Sequence, residues 1–157
     1  MVDLKKYGVL KEKNRNYENI AYVMALVYNV CEKRVSGLLA GYNMSLAQFN
    51  VLMVLGYQTD GEAITQAEIG QKLIVSPGSI TRLVDKLKFE KLISVVQNKE
   101  NRRQNLVKIT AKGMDLLEKI WPLYDGMMKE MIDLIPASKQ DGFSKMLCDW
   151  LEKLMKG

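Results

Sequence analysis

The sequence contains no histidine, and this absence removes several kinds of active site from consideration. Ser-His-Asp triads, Cys-His nucleophile pairs and HExxH zinc sites all depend on an imidazole ring. The chain also lacks the GxGxxG and GxxxxGKS/T patterns, whose glycines let a loop hold nucleotide phosphates. The residues therefore do not indicate an enzyme, and we expect no cofactor.

Cysteine is scarce as well, because Cys31 and Cys148 are the only two in the chain. Two distant cysteines without CxxC spacing indicate neither a disulfide framework nor a zinc site. Both belong to predicted helices, Cys31 among valines and Cys148 beside Trp150. We expect both to be buried structural thiols, and the missing histidines argue against a metal-sensing role.

Long apolar runs are also missing. No run approaches the roughly 18–20 residues that a membrane span needs, and residues 1–14 lack the apolar core of a signal peptide. We therefore expect a cytoplasmic chain that does not contact the membrane. With 157 residues, 48% of them hydrophobic and 26% charged, the composition is ordinary for one soluble globular domain.

Positive charge, in contrast, is concentrated in residues 72–108. This segment holds nine basic and three acidic residues, a net charge of +6, whereas the whole chain carries +5. The segments on either side are therefore close to neutral. A basic cluster on an otherwise balanced protein indicates a polyanionic partner.

The first half of the chain predicts a series of helices. Apolar residues recur at helical spacing over residues 17–38. Ser45-Leu-Ala-Gln48 and Thr65-Gln-Ala-Glu68 are capping boxes, which mark two further helix starts. Another start follows at Ser76-Pro77, where serine supplies an N-cap and proline takes the first helical position. The last two helices are about three residues apart, which is typical of a helix-turn-helix.

The helix that starts at Ser76 has two different sides. At about 100° per residue, one side is apolar and the other carries small, hydroxylated and charged residues. The members of this second side are Gly78, Ser79, Thr81, Arg82, Asp85 and Lys86. It could be an ordinary solvated face, or a surface that approaches phosphates and base edges.

A short hairpin is predicted after Leu92. Residues 93–96 and 106–109 read as strands, and the polar loop between them carries Lys99, Arg102 and Arg103. Alone, such a loop could be a solvated turn. Directly after a helix-turn-helix it indicates the wing of a winged helix, whose arginines can enter a minor groove.

The C-terminal section predicts two more amphipathic helices. One covers residues 114–135 with a kink at Pro122, and Ser138 is expected to cap the last. The apolar faces of the first and last helices lie outside the small winged-helix core. They could pack on their own domain, or a second subunit could cover them, which we favour.

The stretch from Ser76 to Leu87, followed by Asn101-Arg-Arg103 and Thr110-Ala-Lys-Gly113, resembles the multiple antibiotic resistance regulator (MarR) family. The family pattern there is a recognition helix, a wing with Asp-x-Arg, and a strand ending in Leu-Thr-x-x-Gly. Arg103 matches the wing arginine, and the threonine and glycine match that ending. Three positions depart from the pattern.

The departures concern the wing and the end of the recognition helix. Asn101 replaces the usual aspartate, Val95 stands where an arginine is common, and Lys91 stands where a glycine usually closes the helix. Charged residues thought to brace the wing are thus partly missing. The resemblance predicts DNA binding and leaves the register of the wing on the groove open.

The resemblance implies a triangular homodimer whose base is formed by the terminal helices of both chains. Each subunit would bind one half-site of a palindromic operator in double-stranded DNA, with half-sites roughly 10 base pairs apart. It also implies repression that is relieved by a small phenolic or anionic effector. The alternative from a different class is a winged-helix protein-interaction module without specific DNA binding.

We therefore predict a mainly α fold with a small β-hairpin, a winged helix-turn-helix with N- and C-terminal dimerisation helices. The expected parts are an arm and dimerisation helix (1–40), the DNA-binding domain (41–113) and dimerisation helices (114–157), in one structural domain. The predicted DNA-binding residues are Ser76, Ser79, Thr81, Arg82, Lys86, Lys99, Arg102 and Arg103.

Overall fold

The computed structural model describes residues 4–7, 16–59, 61–73, 80–98, 101 and 104–156. After a short 3-10 helix at Leu4–Tyr7 come helices α1 to α6, with strand β1 before α3 and strands β2 and β3 between α4 and α5. Their bounds are α1 Asn16–Ala40, α2 Leu46–Tyr57, β1 Ile64–Thr65, α3 Gln66–Lys72, α4 Ile80–Phe89, β2 Ile93–Gln97, β3 Asn105–Ile109, α5 Ala111–Ile132 and α6 Ala137–Lys156. The chain forms two compact units, Met1–Glu118 and Lys119–Gly157. The predicted mainly α architecture with a β-hairpin is confirmed.

Helix α2 lies at the centre of the first unit. Its residues Phe49, Val51, Leu52 and Leu55 are at most 1% exposed, and they point in several directions around the helix axis. A helix that is apolar all round is stable only when other elements surround it. The predicted capping box at its start is present: the Ser45 N–H donates to Oε1 of Gln48 over 3.0 Å, and the Gln48 N–H donates to the Ser45 hydroxyl over 3.2 Å.

A three-stranded antiparallel sheet carries the hairpin, with strand order β1-β3-β2. Strands β2 and β3 pair from Ile93 opposite Ile109 to Gln97 opposite Asn105. Strand β1 adds two more pairs on the other edge of β3. The hairpin was predicted, whereas β1 was not, because two residues are too short to show an alternating pattern.

Two helices of the first unit end in the same turn. After α1, Asn43 has φ 53°, and the N–H of Met44 donates to the carbonyl of Leu39. After α4, Lys91 has φ 61°, and the N–H of Leu92 donates to the carbonyl of Leu87 over 2.9 Å. These are Schellman turns, in which a left-handed residue satisfies the last carbonyls of a helix.

The second unit contains the end of α5 and all of α6. Helix α5 continues through Pro122, and α6 has no buried residue within its described length. Helix α6 starts at Ala137, so Ser138 already lies inside its first turn, and the prediction that Ser138 caps the helix was wrong. Cys148 is exposed, so the prediction that it is buried was wrong. Cys31 is half-buried.

The apolar faces of α1 and α6 are largely open to solvent in the single chain. The exposed members on α1 are Tyr17, Ile20, Tyr22, Val23, Met24, Val27, Tyr28 and Val30, and those on α6 are Phe143, Met146, Trp150, Leu151, Leu154 and Met155. Such continuous apolar surface is typical of protein interfaces. These exposures do not support the alternative that the two faces pack on their own domain.

Lys91 generates a prediction about stability. A left-handed backbone costs a residue with a β-carbon about 1–2 kcal/mol, and glycine avoids this strain. Since glycine also adds entropy to the unfolded chain, we expect Lys91→Gly to raise the free energy of unfolding by about 0.5–1 kcal/mol. Urea unfolding at fixed protein concentration measures this change.

Lys88→Gly is the matched control, because it removes the same charge inside α4, where the backbone is helical. It should lower the free energy of unfolding by about 1 kcal/mol. If Lys91→Gly destabilised the protein as much as Lys88→Gly, the left-handed backbone at Lys91 would carry no strain that glycine relieves.

Candidate nucleic-acid interface

Helix α3 begins at the second predicted capping box. The backbone N–H and the hydroxyl of Thr65 both donate to Oε2 of Glu68 over 2.7 Å, and the Glu68 N–H donates back to the Thr65 hydroxyl over 3.2 Å. These hydrogen bonds favour the ionised carboxylate and lower the pKa of Glu68. The box sets where α3 starts and hence how it approaches α4.

Helix α4 is sharply two-sided, as its periodicity predicts. Ile80, Val84 and Leu87 are at most 4% exposed and face the core. Thr81, Arg82, Asp85 and Lys86 are exposed on the other side. The Thr81 hydroxyl donates to Oε1 of Gln66 over 3.3 Å, which links the start of α4 to the start of α3.

The structure therefore brings three predicted DNA-binding residues, Thr81, Arg82 and Lys86, to the exposed side of one helix. The other five predicted residues lie outside the described part of the chain. They are Ser76, Ser79, Lys99, Arg102 and Arg103.

Positive charge on this surface is available to a partner. The described basic residues of segment 72–108 are all exposed: Lys72, Arg82, Lys86, Lys88, Lys91 and Lys108. Between described residues, the ion pairs Lys145–Asp149 and Lys156–Glu152 lie in α6, and Lys129 of α5 pairs with Asp133 just after that helix. None of these ion pairs includes a cation of α4, so Arg82, Lys86 and Lys88 can attract an anion.

The C-terminal end of α4 is held by the start of α5. Thr110 donates from its N–H to the Leu92 carbonyl over 3.1 Å and from its hydroxyl to the Lys91 carbonyl over 2.8 Å. The Gly113 N–H in turn donates to the Thr110 hydroxyl over 3.1 Å, so threonine also caps α5. A side chain at Gly113 would overlap the Leu92 carbonyl oxygen and lie 2.9 Å from Cγ1 of Ile109.

Lys112 adds a contact that sequence reasoning missed. Its Nζ donates to the Glu90 carbonyl over 2.8 Å, at the negative end of the α4 dipole. The sequence gives no local sign of this contact, because 22 positions separate the two residues and an extended lysine side chain is needed to reach the carbonyl. We call the contacts among Glu90, Lys91, Leu92, Thr110, Lys112 and Gly113 the α4–α5 junction.

Two negative findings apply to the described part of the chain. Its histidine, cysteine and carboxylate side chains form no group of three or more that could hold a metal ion. None of its helices combines the length and the apolar character needed to cross a membrane.

Comparison with known proteins shows which family this arrangement resembles. A sequence model described as "MarR family" matches residues 42–104, from the end of α1 into the loop between β2 and β3. The HTH-type transcriptional regulator MhqR of Bacillus subtilis is 27% identical, covering 80% of this chain and 84% of the relative. The HTH-type transcriptional repressor YetL of the same organism is 24% identical, covering 96% and 94%. The chain is thus similar to the MarR family over its central part, residues 42–104.

A solved MarR structure has the same fold. The crystal structure of a mutant MarR from E. coli complexed with operator DNA superposes with a TM-score of 0.78 at 21% identity, covering 90% of this chain and 99% of that chain. At that identity the likeness establishes the fold alone. It places α3 and α4 as the helix-turn-helix and β2–β3 as the hairpin of a MarR-type winged helix.

Two departures from the MarR pattern have a structural explanation. Lys91 takes the left-handed conformation that a glycine would adopt most easily, so the turn is kept without the glycine. Val95 pairs with Val107 across the hairpin and is half-buried, so an apolar contact stands where an arginine is common. Asn101 is exposed, and its carbonyl accepts from the Gln104 N–H over 2.9 Å.

The α4–α5 junction predicts a strong effect of Gly113→Ala. The new methyl group would meet a backbone carbonyl that cannot move without breaking the turn after α4, so we expect a loss of about 3 kcal/mol in the free energy of unfolding. Gly126→Ala is the matched control in the same helix, because nothing lies within 4 Å of its added β-carbon. It should raise stability by about 0.5–1 kcal/mol. Equal effects of the two changes in urea unfolding would contradict the close contact.

Glu68 predicts a pH dependence. Because its pKa is lowered in the folded state, its stabilisation is complete above the unfolded pKa of about 4.3 and is lost as the pH falls through the folded pKa. Glu68→Gln keeps an acceptor but cannot titrate. We expect the wild type to be the more stable at pH 7 and this advantage to shrink when the pH is lowered to 3.

Urea unfolding of both proteins at the two pH values tests this prediction. Glu62→Gln is the matched control, because it also removes one exposed carboxylate from the first unit, but at a position outside the capping box. An advantage of wild type over Glu68→Gln that stayed constant with pH would show that ionisation of Glu68 does not support the box.

Proposed function

We propose that this chain is a homodimeric, sequence-specific DNA-binding transcriptional regulator that acts as a repressor in the cytoplasm. The observation that carries the proposal is the exposed basic side of α4, placed as the second helix of a MarR-type helix-turn-helix. The relatives are named as transcriptional regulators, and the structural neighbour is complexed with operator DNA. In this arrangement the second helix enters the major groove.

Within this proposal the residues of α4 divide by chemistry. Arg82 and Thr81, together with Ser79, read base edges, because guanidinium and hydroxyl groups can pair with the acceptors and donors of the major groove. Lys86 and Ser76 contact phosphate oxygens. The wing residues Lys99, Arg102 and Arg103 contact the adjacent backbone and minor groove.

The open apolar faces of α1 and α6 support the homodimer. Together they expose fourteen large apolar side chains in the single chain, and a second copy would bury them in a two-fold interface. Such a dimer presents two α4 helices to a palindromic operator, with half-sites about 10 base pairs apart. The family resemblance adds a small phenolic or anionic effector that controls DNA binding.

The test is a binding titration. Duplexes enriched from a randomised library by the wild-type protein, and one unselected duplex, are titrated by fluorescence anisotropy at several salt concentrations. We expect a clear preference for the enriched duplexes and a log–log salt slope of about −0.9 per phosphate neutralised. Equal affinity for both duplexes would contradict the proposal and favour a protein-interaction module.

Arg82→Ala tests the assignment within the helix. It should weaken binding to the enriched duplex by about 1–3 kcal/mol and relax preference at one base position. Arg34→Ala is the matched control, since it removes the same charge from an exposed position on α1. If both variants lost the same affinity, only net charge would matter and the assignment of α4 would be wrong.

A further inference from the structure

Phe89 is the most exposed of the large apolar side chains in the described part of the chain. It is 87% exposed, whereas Phe49 is 1% and Phe143 is 42% exposed. A single exposed apolar residue is ordinary on a protein surface. What distinguishes Phe89 is therefore its position rather than its exposure.

Phe89 lies on the same side of α4 as the residues proposed to meet DNA. With about 100° per residue, it falls opposite Ile80, Val84 and Leu87 and within an arc of about 60° that includes Arg82 and Lys86. It stands two turns, roughly 10 Å, beyond Arg82. One apolar ring thus continues a line of cationic side chains.

The surroundings of Phe89 are basic. Lys86 and Lys88 on α4 and Lys91 after it are all exposed, and Asp85 is the acidic residue on the same side of the helix. A second copy of this chain, docked through the same surface, would bring like charges together. A polyanion with apolar patches fits both the charge and the ring.

The backbone at Phe89 is fixed by its neighbours. The left-handed turn at Lys91 closes α4 directly after it, and the carbonyls of Glu90, Lys91 and Leu92 accept hydrogen bonds from Lys112 and Thr110. Fixing the helix end reduces the entropy lost when the ring meets a partner. The α4–α5 junction therefore presents Phe89 at a defined place at the end of the helix.

We propose that Phe89 packs against an apolar surface of the operator, either the C5-methyl group of a thymine or the carbon face of a deoxyribose. The inference rests on the proposed function and adds a contact to it. A major groove about 12 Å wide admits the helix, and thymine methyl groups are the apolar feature that it displays. A ring at the end of the helix reaches such a methyl group or the sugar at the groove edge.

The test compares wild type, Phe89→Ala and Phe89→Leu by anisotropy on the enriched duplex and on the unselected duplex. We expect Phe89→Ala to bind the enriched duplex about tenfold more weakly and Phe89→Leu to keep most of the affinity, because leucine retains an apolar surface. The unfolding midpoint should be unchanged for both variants, since the ring makes little contact within the chain.

Replacing thymines one at a time by deoxyuridine removes only the methyl group and separates the two surfaces. If one replacement weakens the wild type and has no effect on Phe89→Ala, the ring meets that thymine. If Phe89→Ala weakens both duplexes and no replacement matters, the ring meets deoxyribose. Either result supports the contact.

The contact is overturned if Phe89→Ala binds the enriched duplex as tightly as wild type while wild type keeps its preference. It is also overturned if sedimentation shows that Phe89→Ala loses the oligomeric state of wild type, because the ring would then meet another copy. A wild type without any preference for the enriched duplex instead refutes the proposed function, and this inference with it.

Discussion

The arrangement of the winged helix depends on one close contact between backbones, at the α4–α5 junction. Gly113 has no side chain, and only for that reason can the first turn of α5 lie against the Leu92 carbonyl. Thr110 then satisfies the carbonyls that the end of α4 leaves open and caps α5 with the same hydroxyl. The same residues thus fix the end of the proposed recognition helix and the start of the helix that leads out of the first unit.

The rest of the structure separates apolar burial from charge. Helix α2 and one side of α4 supply the core, whereas the described cations of segment 72–108 lie at the surface. The ion pairs between described residues do not include them. The open apolar faces belong to α1 and α6, away from this basic surface along the chain. Two kinds of surface therefore indicate two kinds of partner, a second copy and a polyanion.

Local patterns predicted those parts of the fold whose physical cause is itself local. Both capping boxes occur as predicted, because Ser45 and Thr65 need only a residue three positions later, and the exposed side of α4 follows from helical periodicity. The two-residue strand β1 and the reach of Lys112 to Glu90 depend on distant segments and have no local pattern. The prediction that Cys148 is buried was wrong, because an apolar stripe on a helix does not show whether the same chain or a second one covers it. Phe89 was not predicted as part of the site, since periodicity does not assign a function to a single apolar residue on a polar side.

Hydroxyl-radical footprinting of the protein, with and without the enriched duplex, measures most directly whether the exposed side of α4 is the DNA-binding surface. Phenylalanine reacts readily when exposed, so Phe89 is the reporter, and Phe143, which a second copy covers in the proposed dimer, is the internal reference. The account predicts that DNA protects Phe89 and leaves Phe143 unchanged, because the apolar face of α6 has the same neighbours in the free and the bound dimer. Unchanged reactivity of Phe89, with protection confined to α1 or α6, would contradict it.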